Sequence, residues 1–64
     1  MFKFEVIETN FKLYELKKRL NDACTFIPIG ECKYLVILND DDVRFVLLTL
    51  KELGIKYYNL DIVD

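Results

Sequence analysis

The sequence predicts an α+β fold, a four-stranded antiparallel sheet with two helices on one face, from three observations. Apolar residues alternate with polar ones near both ends of the chain, and two internal stretches carry apolar residues at helical spacing. The only proline and the longest apolar run fall in different strands, which separates an edge from a centre.

Met1 to Glu8 sets Phe2, Phe4 and Val6 against Lys3, Glu5 and Ile7, a period of two that buries the first group. Thr9 and Asn10 carry helix-capping side chains. From Phe11 to about Ala23, Leu13, Leu16, Leu20 and Ala23 form one stripe of a first helix. Cys24 to Ile29 is β-prone but contains Pro28, which cannot donate to a ladder and belongs on an edge strand. Gly30 and Glu31 turn the chain into Cys32 to Leu38, whose unbroken run Tyr34 to Leu38 reads as a central strand, so the two form a hairpin.

Asn39, Asp40, Asp41 and Asp42 place acceptors and negative charge at the first turn of a second helix, where exposed amides and the positive dipole end favour them. That helix carries Val43, Val46, Leu47, Leu50 and Leu53 on one stripe and stops at Gly54, the residue best able to adopt a left-handed terminal conformation. Ile55 to Val63 alternates again, with Tyr58, Leu60 and Ile62 opposed to Tyr57, Asn59 and Asp61.

The order βαββαβ points to a ferredoxin-like, split βαβ packing in which the first and third strands are central. The alternative is a ββα or βαβ unit completed by a second copy. With no repeat and no linker, residues 1–64 are expected to form a single small domain. A chain of 64 residues buries only about 60% of its unfolded surface, so a homodimer is expected to supply what one core lacks.

Composition excludes several function classes. His, Ser, Gln and Trp are absent, which removes Ser/His and Cys/His catalytic pairs and every imidazole ligand. Without histidine the two cysteines, Cys24 and Cys32, fall short of a zinc site; they read as reduced structural thiols. Asp40, Asp41 and Asp42 could offer hard oxygens to Mg²⁺ or Ca²⁺, but consecutive helical residues diverge by about 100° and cannot converge on one ion, so capping explains them more simply. No catalytic residue, cofactor or metal is expected. A net charge of −2 and a pI near 5.0 supply no general attraction for nucleic acid. The longest apolar runs fall far below the ~18 residues of a membrane span, and no signal-peptide layout is present, so no membrane association and a cytoplasmic location are expected.

Candidate functional residues lie on the two helices. If the stripe of the second helix faces the sheet, Phe45 and Leu48, beside Glu52, project the other way, and a helix apolar on both sides is usually covered on both. On the first helix Phe11, Tyr14 and Lys18 lie opposite the leucine stripe, near Lys12, Lys17 and Arg19. This second patch could anchor a protein or clamp single-stranded nucleic acid; alternatively Phe11 folds under the first strand. The open sheet face is a further surface, with Ile7, with Tyr57, Asn59 and Asp61, and with Tyr34, Val36 and Leu38 or their alternates. Its edge strand ends in Asp61 and Asp64, charges that discourage uncontrolled pairing.

These readings converge on a non-enzymatic protein-protein interaction module, homodimeric, acting as a small regulator or inhibitor by surface binding. A compositional bias typical of AT-rich genomes suits a phage or mobile-element origin. The alternative is a module binding single-stranded nucleic acid through the basic aromatic face of the first helix.

Overall fold

The computed structural model describes residues 1–63, so Asp64 and its expected role at the edge strand lie outside it. The elements are β1 (Phe2–Ile7), α1 (Asn10–Leu20), β2 (Cys24–Gly30), β3 (Lys33–Leu38), a 3₁₀ turn (Asp40–Asp42), α2 (Val43–Leu53) and β4 (Tyr57–Ile62). All neighbouring strands are antiparallel, in the order β2-β3-β1-β4. The architecture is therefore α+β. The apolar strand β3 and the alternating strand β1 occupy the centre, and β2, with Pro28, is an edge.

Register decides which side chains share a face. Phe2, Phe4 and Val6 stand opposite Leu38, Val36 and Tyr34, and Cys24, Phe26 and Pro28 stand beside that same β3 row. Phe4, Val6, Val36 and Leu38 meet Leu13, Leu16 and Leu20 from α1 and Val46 and Leu50 from α2 in one buried cluster closed by Ile55. Both helices therefore cover the same face. Phe4, Leu16, Leu20 and Leu50 are completely buried, each contributing about 1.5–3 kcal/mol by removal from water. The face with Tyr34, Val36 and Leu38 is the covered one, so the open face carries their alternates, Leu35 and Ile37, with Ile7 and Ile27.

The helix ends follow local chemistry. Thr9 Oγ1 accepts the Lys12 amide at 3.4 Å and opens α1. The helix closes at Leu20, earlier than the expected Ala23. Asn21 and Asp22 favour turns over helix interiors, and the Ala23 amide donates to the Leu20 carbonyl at 3.0 Å to close one. At the other helix the acids behave differently from expectation. Asp40 to Asp42 form a 3₁₀ lead-in rather than the first α-turn, and neither Asn39 nor Asp42 makes a side-chain cap. The lead-in is held by the Asp42 amide donating to the Asn39 carbonyl at 3.0 Å, while Asp40 Oδ1 lies 2.8 Å from the Met1 amine.

Gly54, at φ +70°, ends α2 as the sequence requires. Its amide donates to the Lys51 carbonyl at 3.2 Å and that of Ile55 to Leu50 at 2.9 Å, a paired closure that only a left-handed residue permits without strain. Thr49, absent from the predicted stripe, is buried on α2; its hydroxyl donates to the Phe45 carbonyl at 2.9 Å and so carries no unsatisfied group inside.

β4 departs from simple alternation. Ile62 and Asp61 pair with Phe2 and Lys3, but Tyr58 and Tyr57 pair with Glu5 and Val6, which leaves one extra residue in β4 opposite Phe4. Asn59 sits in this bulge at φ +56°, a left-handed conformation that asparagine tolerates better than most residues. The bulge reverses the phase of the strand. Tyr57 turns to the helix side, edge-on to Phe4 with ring centroids 5.7 Å apart, and Tyr58 turns to the open face, the inverse of the expected pair.

Cys24 opens β2 and Cys32 lies in the turn beyond its far end; the seven residues of that strand span about 20 Å, far beyond disulfide reach. Both are free and half-buried. Burial, reinforced by the negative charge of Asp42, pushes the Cys24 thiol up to about 11.

Candidate functional site

The outer surface of the helix layer holds every residue singled out as a partner contact. On α1 the buried stripe Leu13, Leu16, Leu20 fixes the rotation of the helix and drives Phe11, Tyr14 and Lys18 outward. Phe11 is 75% exposed and Tyr14 63%, so Phe11 does not fold beneath β1. On α2 the inward set Val46, Thr49 and Leu50 leaves Phe45 and Leu48 each 54% exposed. These are large apolar side chains held in water by a helix whose other side is already committed to the core.

The two patches differ in their surroundings. Tyr14 and Lys18, with Asn10, Leu13, Lys17 and Tyr34, line a recess of about 490 Å³ between α1 and the β3 side of the sheet. Lys17 Nζ lies 5.0 Å from the centroid of the Tyr34 ring, so a cation already occupies the face on which a nucleobase would stack. Phe11 does not line this recess, and neither Phe45 nor Leu48 does. Glu52 is drawn aside: its Oε2 accepts from Arg19 Nη1 at 3.4 Å, tying α2 to α1 through an exposed pair of the kind contributing about 0–1 kcal/mol. Lys12 links the helices again, reaching the Gly54 carbonyl at 3.5 Å.

The open sheet face is more charged at its centre than its apolar members suggest. Glu5 accepts from Asn59 Nδ2 at 2.9 Å and lies 3.2 Å from Lys33 Nζ. The Asn59 hydrogen bond first, and Lys33 second, hold the Glu5 carboxyl below its ordinary 4.5. Covering this face would dehydrate that pair at its centre.

A second recess, of about 520 Å³, escaped sequence reasoning. It runs between α2 and β4 and is walled by Leu47, Ile55 and Tyr57, with Lys51 and Lys56 among its lining residues. The signal for it, the segment Ile55 to Tyr58, is present in the sequence, but the bulge at Asn59 inverts which tyrosine meets the helices. Among the described residues no group of three or more His, Cys, Asp and Glu side chains is placed to hold a metal ion, and no helix is long and apolar enough to cross a membrane. Comparison of the chain with protein-family models, curated proteins and solved structures finds no match.

Proposed function

We propose that the chain is a non-enzymatic module that works by binding protein, a second copy of itself foremost, through the outer face of the helix layer. Phe45 and Leu48 are the anchors, and Phe11, Tyr14 and Lys18 form the flank. The observation that carries this reading is the 54% exposure of both Phe45 and Leu48 on a helix already buried along its opposite side. Aromatic and aliphatic side chains of this size are the usual centres of interface energy when a partner dehydrates them. Glu52 supports the interface indirectly, by holding α2 against α1 through Arg19.

We infer further that the packing is ferredoxin-like, on the strength of two βαβ units interleaved in one antiparallel sheet with both helices on one side. A cytoplasmic regulator or inhibitor acting by occluding a surface fits a domain that offers apolar anchors and reduced thiols. Sedimentation equilibrium of the purified chain over a wide concentration range tests the central claim. A mass rising toward twice 7.6 kDa is expected; a single monomer mass throughout, with no protein partner recovered, would defeat it.

A further inference from the structure

We propose that the α2–β4 groove is a second binding site, which takes an extended acidic segment of a partner protein as an added strand along the edge of β4. The Glu8 amide donates to Cys32 and the Val63 amide to Met1, so even-numbered residues of β1 bond toward β3 and odd-numbered ones toward β4. Glu5 pairs with Tyr58 in that second ladder, and alternation then turns the amide and carbonyl of Tyr57 outward to the free edge. The edge is closed further along: the outward amide of Ile62 is taken by Asp61 Oδ1 at 2.8 Å, and the bulge at Asn59 bends the strand between. What stays available is the stretch around Tyr57, the part of the edge that borders the groove.

The side chains specify the occupant. Leu47, Ile55 and Tyr57 offer an apolar floor suited to one aliphatic side chain of an added strand. Lys51 and Lys56 make no ion pair among the described residues, although the chain as a whole is acidic, at net charge −2. Two uncompensated cations beside an apolar trough and an open strand edge fit a peptide that alternates carboxylate and aliphatic side chains. A basic strand would meet repulsion there.

This site shares no residue with the Phe45 and Leu48 surface, so the two proposals fail separately: one is read by mass, the other by residue-resolved binding. The probe is a capped five-residue peptide alternating glutamate and valine, titrated at low salt into isotope-labelled protein and followed by amide chemical shifts. Shifts concentrated at Leu47, Lys51 and Ile55 to Tyr58, with slowed exchange of the Tyr57 amide, are expected. Lys51→Gln combined with Lys56→Gln, both exposed and with no negative charge set against the end of α2, should weaken binding at least about tenfold. No shifts at millimolar peptide, equal shifts with a lysine–valine peptide, or equal shifts with oligo-thymidylate would each overturn the proposal.

Discussion

Replacing Phe45 and Leu48 by aspartate is the most informative perturbation, because its size follows from exposure. A phenylalanine side chain presents roughly 200 Å², so at 54% exposure about 110 Å² remains for a partner to cover. At about 25 cal/mol per Å² this is roughly 2.7 kcal/mol. Leu48, equally exposed, has about half of a leucine side chain's 1.5–3 kcal/mol left to gain, taken at its lower end as about 1 kcal/mol. In a two-fold interface each side chain counts twice, giving about 7 kcal/mol gross before association entropy is subtracted. Even if only two-fifths of this survives, the double variant should raise the dimer Kd at least about a hundredfold.

The monomer should tolerate the change. Position 45 lies in the first turn of α2, where an aspartate is favoured by the helix dipole, and position 48 is exposed on the same helix. Sedimentation equilibrium between about 10 μM and 1 mM measures the association, and circular dichroism checks that helix and sheet are retained. The wild-type melting temperature should also rise with concentration, and that of the variant should not. A variant that is folded and still associates like the wild type would refute the reasoning.

Three further outcomes follow from the core and the titrating groups. Leu16→Ala, which removes a fully buried side chain shared by the helix and sheet layers, should cost about 2–5 kcal/mol and lower Tm by roughly 10 °C or more; a smaller shift would mean that the site collapses around the gap. Because the folded Glu5 carboxyl titrates below 4.5, its contribution is complete above that pH and is lost as pH falls through the lowered value; Asn59→Gly keeps the left-handed bulge, removes the hydrogen bond and should move the Glu5 NMR midpoint upward, whereas an unmoved midpoint would assign the effect to Lys33 alone. With its thiol pushed up to about 11, Cys24 should react with iodoacetamide at pH 8 about tenfold to a hundredfold more slowly in the folded protein than in denaturant, and equal rates would show that the strand opens freely.

Sequence periodicity reached furthest where one face is plainly apolar. α2 declares itself through Val46, Leu47 and Leu50, its end through Gly54, and β1 through Phe4 and Val6. Pro28 and the Tyr34 to Leu38 run separate edge from centre because one lacks a donor for a second ladder and the other takes a strand on each side. The positions that stayed hidden are those decided by tertiary partners. Thr49 is buried because its hydroxyl finds a carbonyl four residues back, which no polarity scale anticipates. The acids at 40 to 42 satisfy a 3₁₀ turn and the Met1 amine instead of capping α2. Of the candidate contacts, the outward direction of Phe11, Tyr14, Lys18, Phe45 and Leu48 was legible from helical geometry, whereas the engagement of Glu52 by Arg19 depends on how two helices cross.

The additional residue at Asn59 gives β4 two phases in one strand, and this sets which tyrosine meets the helices. Paired in strict alternation from the Asp61 end, Tyr57 would stand opposite Ile7 on the open face, away from Phe4; the extra residue is what returns it to Val6 and the helix side. The loss of one residue at the bulge should therefore be forgiven, since Tyr57 keeps Val6 as its partner in a regular ladder.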